Sequence, residues 1–454
     1  MSLKSINPAT GAVIKEYEEL SAEQLEEKIG RAQSAFEKWR VLSFEERGAH
    51  MMKLAEVLKS KSREYGAIMS EEMGKPISAA VAEAEKCSWA AEFYAENAAK
   101  FLADEHAETD ASESYVQYDP LGIVLAVMPW NFPFWQALRA ACPALMAGNT
   151  MLLKHASNVP HCGIVIEELF KEAGFPEGVF QNLEIRSSAV EAILRDDRVV
   201  AATLTGSEYA GGQVAKTCGE EIKPTVLELG GSDPFIVLSD ADLDLACEAA
   251  VKARFQNNGQ SCIAAKRFIV MADRYEEFVE KFGELTAAQV VGDPTKEETQ
   301  IGPLATGQIL EDIVKQVDRS VEMGARVVTG GKKIDGPGYF YEPTVLADVV
   351  KGMPLYDEET FGPAAAVIKV ESEEEAIKVA NDTPFGLGAT LWTQDIEKAK
   401  CFTKEIFAGA VFINGMVKSD PRLPFGGIKK SGYGRELAQH GIREFVNAKT
   451  IWIK

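Results

Sequence analysis

Gly122-Ile123-Val124-Leu125-Ala126-Val127-Met128-Pro129-Trp130-Asn131-Phe132-Pro133 is the stretch on which the fold turns. Its first seven residues form a short apolar run opened by glycine and closed by proline, the pattern of a strand covered on both faces. The two prolines then fix the chain around one amide side chain, Asn131. Downstream, strand-like runs at Thr150 to Leu153, Val199 to Leu204 and Val226 to Leu229 alternate with helix-like segments such as Gly163 to Ala173. That alternation predicts a parallel sheet with crossover helices, an α/β fold.

A second alternating region starts at Pro234-Phe235-Ile236-Val237 and continues through Arg267 to Met271, Arg326 to Thr329, Ala365 to Val370 and Gly388 to Trp392. It predicts a second α/β lobe. Upstream, residues 21 to 105 read as helices, with capping-box pairs at Ser21 and Gln24 and at Ser43 and Glu46. Glu113 to Tyr118 and Lys449 to Ile453 look strand-like but belong to neither lobe. Exposed strands of this kind tend to pair with another chain, so a homodimer or homotetramer is expected.

The chain has 454 residues, 46% hydrophobic and 26% charged, ordinary for a globular protein with at least two cores. A formal net charge of -21 argues against general affinity for nucleic acid or an anionic membrane, while leaving room for a local phosphate pocket. The seven cysteines are scattered and never spaced as Cys-x-x-Cys, which suits a reducing compartment. The first residues, Met1 to Ser5, lack the apolar core of a signal peptide, and no run is long enough to span a bilayer. A cytoplasmic location is expected. The five histidines show no ligand spacing with cysteine or carboxylates, so no metal is predicted.

Cys262 follows Asn257-Asn258-Gly259-Gln260-Ser261, where Gly259 permits a tight turn and polar neighbours suit a site open to ligand. The thiol is a candidate nucleophile, with a buried structural cysteine as the competing reading. Glu228 ends a strand-like run just before Gly230-Gly231, so its carboxylate should emerge at the C-terminal edge of a sheet and can act as a base. A structurally paired carboxylate is the alternative there. Asn131 can donate to a developing oxyanion, or can simply end a strand.

Six motifs in order, Pro129-Trp130-Asn131-Phe132-Pro133, Thr205-Gly206-Ser207, Leu227-Glu228-Leu229-Gly230-Gly231, Gly259-Gln260-Ser261-Cys262, Glu359-Thr360-Phe361-Gly362-Pro363 and Pro424-Phe425-Gly426-Gly427, resemble the aldehyde dehydrogenase superfamily. The resemblance implies a Rossmann-like dinucleotide-binding domain over 1–106 and 121–230, a catalytic domain over 231–430, and a small β extension for oligomerisation from 107–120 and 431–454. It implies Cys262 as nucleophile, Asn131 with the Cys262 backbone N–H as oxyanion donors, and Glu228 as the base that activates water to hydrolyse a thioester. Trp130, Lys154, Gly206, Ser207, Glu359 and Phe361 match cofactor contacts.

The commonest family pattern has a glutamate three residues after the lysine, where this chain has Ser157. A neutral hydroxyl removes repulsion against a 2′-phosphate, so NADP is expected, with NAD possible. Arg139, with Trp135 and Ser419, is similar to the succinate semialdehyde dehydrogenases. This implies a semialdehyde whose far carboxylate meets the Arg139 guanidinium, against a structural ion pair as the other reading. Gln256 stands where many such enzymes carry a second arginine, which leaves a broader aldehyde range open. An acylating relative and a non-catalytic protein on the same fold are the remaining alternatives.

Overall fold

The computed structural model describes residues 2–454. The opening stretch forms the strand Ile123–Val127, hydrogen-bonded on one side to Thr150–Lys154 and on the other to Val199–Thr205, both parallel. With a neighbour on each edge and apolar layers above and below, only aliphatic side chains suit this position. The six-stranded sheet runs in the order Gly432–Tyr433, Thr225–Glu228, Val199–Thr205, Ile123–Val127, Thr150–Lys154, Phe180–Asn182. All its pairings are parallel except that of Gly432–Tyr433, which is antiparallel.

A seven-stranded sheet follows in the order Arg326–Thr329, Thr344–Ala347, Ala364–Val370, Ala265–Met271, Asp233–Val237, Gly388–Trp392, Ala410–Ile413. It is parallel apart from its first pair. The strand-like segments outside both lobes pair with each other: Val446–Ile453 lies antiparallel to Glu113–Pro120, which also pairs with Glu105–His106.

The helical layer comprises Ala22–Trp39, Phe44–Ser60, Ser62–Met73 and Ile77–Phe101. Both capping boxes form: the Ser21 and Ser43 hydroxyls accept from Gln24 N and Glu46 N, and the Gln24 and Glu46 side chains accept from the two serine N–H groups. The helix Pro133–Met146 is buried along its whole length, with Pro133 in its first turn. It packs on Ile77–Phe101, and together the two helices wall one side of the site.

Two features depart from the sequence reading. Ser2–Ile6 pairs with Val13–Glu18 in an antiparallel hairpin that was not anticipated. Gly432–Tyr433 joins the six-stranded sheet, and the helix Ala438–Arg443 packs on Ile77–Phe101 and Pro133–Met146, so residues 432–443 serve the first lobe rather than the β extension. No helix among the described residues is long and apolar enough to cross a membrane.

Candidate active site

Three consecutive residues, Asn257, Asn258 and Gly259, adopt left-handed backbone conformations with φ of 53°, 59° and 73°. Asparagine tolerates this region better than other side-chain-bearing residues, and here each amide also ties the loop down. Asn257 Nδ2 donates to Asn131 O at 2.7 Å, and Asn258 Nδ2 donates to Gly74 O at 2.9 Å and Pro303 O at 3.0 Å. Gly302 N donates back to Asn258 Oδ1, and Ala305 N to Gln260 Oε1. A Cβ on Gly259 would collide with the Gly362 backbone. Buried Arg254 donates to Thr360 O, and Lys266 Nζ donates to Ser261 O and Cys262 O at 3.0 and 2.8 Å. The loop is thereby fixed from beneath, with Cys262 half-buried at its end.

Two cavities of about 250 and 240 Å³ meet at Cys262, which lines both. Burial pushes its thiol up to about 12, with the Lys266 and Arg139 charges pulling the other way. Asn131 is buried beside it; its Nδ2 donates to Gln260 O at 3.0 Å, and its Oδ1 accepts from Gln136 Nε2 at 3.1 Å, which sets the amide's orientation.

Glu228 ends its strand as expected but lines neither cavity. Its carboxylate is buried with no hydrogen-bond partner among the described residues, in space left by Gly426, where a Cβ would come within 2.6 Å of Oε1. Burial, then the Glu436 charge, holds this carboxyl well above the ordinary range, against the pull of Arg139 and Arg435.

The second cavity is lined by Trp130, Asn131, Gly206, Ser207, Glu359 and Phe361, together with Cys262. Phe361 meets Trp130 edge-on at 5.7 Å. Glu359 accepts from Gly231 N at 3.0 Å and lies 3.5 Å from Lys266 Nζ. Ser207 caps the helix Glu208–Glu220 by accepting from Ala210 N, and Gly206 precedes it, so free N–H groups point out of the sheet's C-terminal edge. Lys154 and Ser157 lie outside this lining, at and just beyond the end of the adjacent strand Thr150–Lys154. Lys154 is 6% exposed with no acidic partner among the described residues, and burial lowers its pKa. An ammonium so placed suits an anionic group such as a phosphate.

The first cavity is lined by Trp135, Arg139, Gln256 and Ser419, and by Lys86, which the sequence reading overlooked. Arg139 lines this cavity and is at the same time held by the fold. Its Nε lies 2.5 Å from Glu436 Oε2, its Nη2 donates to Thr205 Oγ1 at 3.2 Å, and its guanidinium stacks over Phe425. A guanidinium this deeply buried needs a nearby anion, and Glu436 from the turn after Gly432–Tyr433 supplies it. Replacing Glu436 with alanine would leave that charge unmatched and should lower stability by about 3–5 kcal/mol, read as a fall in the urea midpoint. An unshifted midpoint would contradict the pairing.

The aldehyde dehydrogenase family model matches residues 1–451, and the chain belongs to that family. Among its relatives is the NADP(+) succinate-semialdehyde dehydrogenase 1 of Mycobacterium tuberculosis, 54% identical over 456 residues covering all of both chains. The NADP(+) succinate-semialdehyde dehydrogenase of Mycobacterium leprae is 53% identical over 456 residues, again covering all of both. Among solved structures, the succinic semialdehyde dehydrogenase of Streptococcus pyogenes in complex with NADP+ superposes with a TM-score of 0.97 at 40% identity, covering 99% of each chain.

Proposed function

We propose that the protein oxidises an aldehyde carrying a far carboxylate, succinate semialdehyde, to the acid with NADP. The observation that carries this reading is the position of Cys262 at the meeting point of two cavities, one with cation-bearing walls and the other at the C-terminal edge of a parallel sheet. The names of relatives at 53–54% identity support the substrate and cofactor.

Cys262 Sγ passes its proton to solvent through the cavity it lines and attacks the aldehyde carbon, giving a thiohemiacetal. Its oxyanion is received by Asn131 Nδ2 and the Cys262 backbone N–H. When bound, NADP supplies the hydride acceptor for oxidation to the thioester. Trp130, Gly206, Ser207, Glu359 and Phe361 would hold its nicotinamide side, with Lys154 and Ser157 nearer the 2′-phosphate. Glu228 then turns toward the thioester and takes a proton from water, whose oxygen adds to the acyl carbon as the C–S bond breaks, releasing the acid and the Cys262 thiolate. Because its oxygens hold no hydrogen bond at rest, the turn breaks none. Measuring kcat/KM for succinate semialdehyde against butanal tests the substrate; equal values would sink the semialdehyde reading.

Ser157→Glu should lower the NADP-over-NAD ratio of kcat/KM by roughly tenfold or more, since a carboxylate there repels a phosphate. A ratio unchanged by the substitution would remove Ser157 from the phosphate site. The edge strand Val446–Ile453, with Trp452 and Ile453 half-exposed, supports self-association as a homodimer or homotetramer. Seven free cysteines support a cytoplasmic location.

A further inference from the structure

Charged side chains are buried beneath the nucleophile loop, and their hydrogen bonds set one of them apart. Arg254 donates to Gly259 O, Ala265 O and Thr360 O, tying the ends of the loop to a neighbouring segment. Asp233 accepts from Gly388 N at 3.0 Å, away from the loop. Lys266 instead donates to Ser261 O and Cys262 O, the carbonyls on either side of the sulfur-bearing residue, at 3.0 and 2.8 Å.

Lys266 lies near the start of the strand Ala265–Met271, fully buried and outside the lining of both cavities. The carboxylate within ion-pair distance of it is Glu359, 3.5 Å away, which also accepts from Gly231 N. Burial pulls the ammonium below its ordinary range, while Glu359 and then Asp233 draw it back up and Arg254 opposes them. Matched by one shared carboxylate, the charge acts upward on the loop as well.

In a trans peptide the C=O and N–H point in opposite directions. An ammonium bonded to Ser261 O draws electron density toward that oxygen. It thereby makes the Cys262 N–H, at the other end of the same peptide unit, a stronger donor. That N–H has no acceptor among the described residues, so it is available to an oxyanion. The sulfur feels the same charge: after burial, which pushes the thiol up, Lys266 is the strongest influence in the other direction, ahead of Arg139.

We propose that Lys266 is a positioning residue for the reaction: from beneath the loop it strengthens the Cys262 N–H as an oxyanion donor and steadies the negative sulfur, touching neither substrate nor cofactor. This rests on Cys262 as the nucleophile, as proposed above.

The test uses Lys266→Met, which removes charge and hydrogen bonds with a side chain of similar length, and Lys266→Gln, which keeps a donor and removes the charge. The first readout is the rate at which dipyridyl disulfide captures Cys262 in cofactor-free protein, resolved from Cys401 by peptide mass. This exchange requires the thiolate. Loss of the charge should slow capture about tenfold in both variants, whereas a loop that had merely loosened would admit water and reagent and speed it. The second readout is the burst of reduced cofactor, which should slow about a hundredfold in Lys266→Met and less in Lys266→Gln, with KM for the aldehyde nearly unchanged. Capture at or above the wild-type rate in either variant overturns the proposal. If Cys262→Ala is then inactive, the nucleophile stands without Lys266; a Cys262→Ala enzyme that keeps its turnover overturns both.

Discussion

Cys262→Ala is expected to reduce aldehyde oxidation by roughly 10⁴-fold or more, because no other thiol on the chain lines either cavity. Five of the other six cysteines are buried in packed interior, and Cys401 lies exposed on a separate helix. Cofactor titration by fluorescence should be little changed, since the second cavity keeps its walls. Residual turnover above about one per cent of wild type would move the nucleophile elsewhere.

The second large effect concerns Glu228. Glu228→Gln should leave the first half of the reaction intact and slow the release of acid, lowering kcat by about 10²–10³-fold. Rapid mixing would then show a burst of reduced cofactor near one per site, followed by a slow phase, with an acyl adduct on Cys262 detectable by mass. The pH dependence follows from the direction of the shifts. Burial raises both Glu228 and Cys262, and in the roles proposed each acts deprotonated, so wild-type turnover should climb with pH across the neutral and alkaline range. The slow phase in the glutamine variant should lose the part of that climb due to the carboxylate. Wild-type steady-state rates in Glu228→Gln would discard the residue as base.

The main architecture was legible because it rests on local signals. Ile123–Val127 announces itself by unbroken apolar character, which a strand buried on both faces requires, and the helix starts at Ser21 and Ser43 by reciprocal capping. Gly432–Tyr433 escaped notice because two residues carry no period, and Ser2–Ile6 because only Leu3 and Ser5 of its five residues are buried. In the site, Asn-Asn-Gly before Cys262 is readable as a turn, but its three left-handed residues are held by partners as distant as Gly74 and Pro303. Arg139 and Glu436 lie on segments that no sequence periodicity connects, so the ion pair had no local mark. Lys86 was masked for another reason: three residues after Glu83 on a helix, it reads as half of a solvated surface pair, yet Glu83 turns to Lys75 and Lys86 turns inward.

The burial of Cys262 has a bearing on chemical damage. Peroxide and alkylating reagents attack the thiolate, and burial, by pushing the Cys262 thiol up, disfavours that form and slows them. Solvent-exposed Cys401 is open to reagent throughout. Iodoacetamide labelling of the substrate-free protein would therefore stain a bystander first, and the extent of modification would be a poor gauge of inactivation.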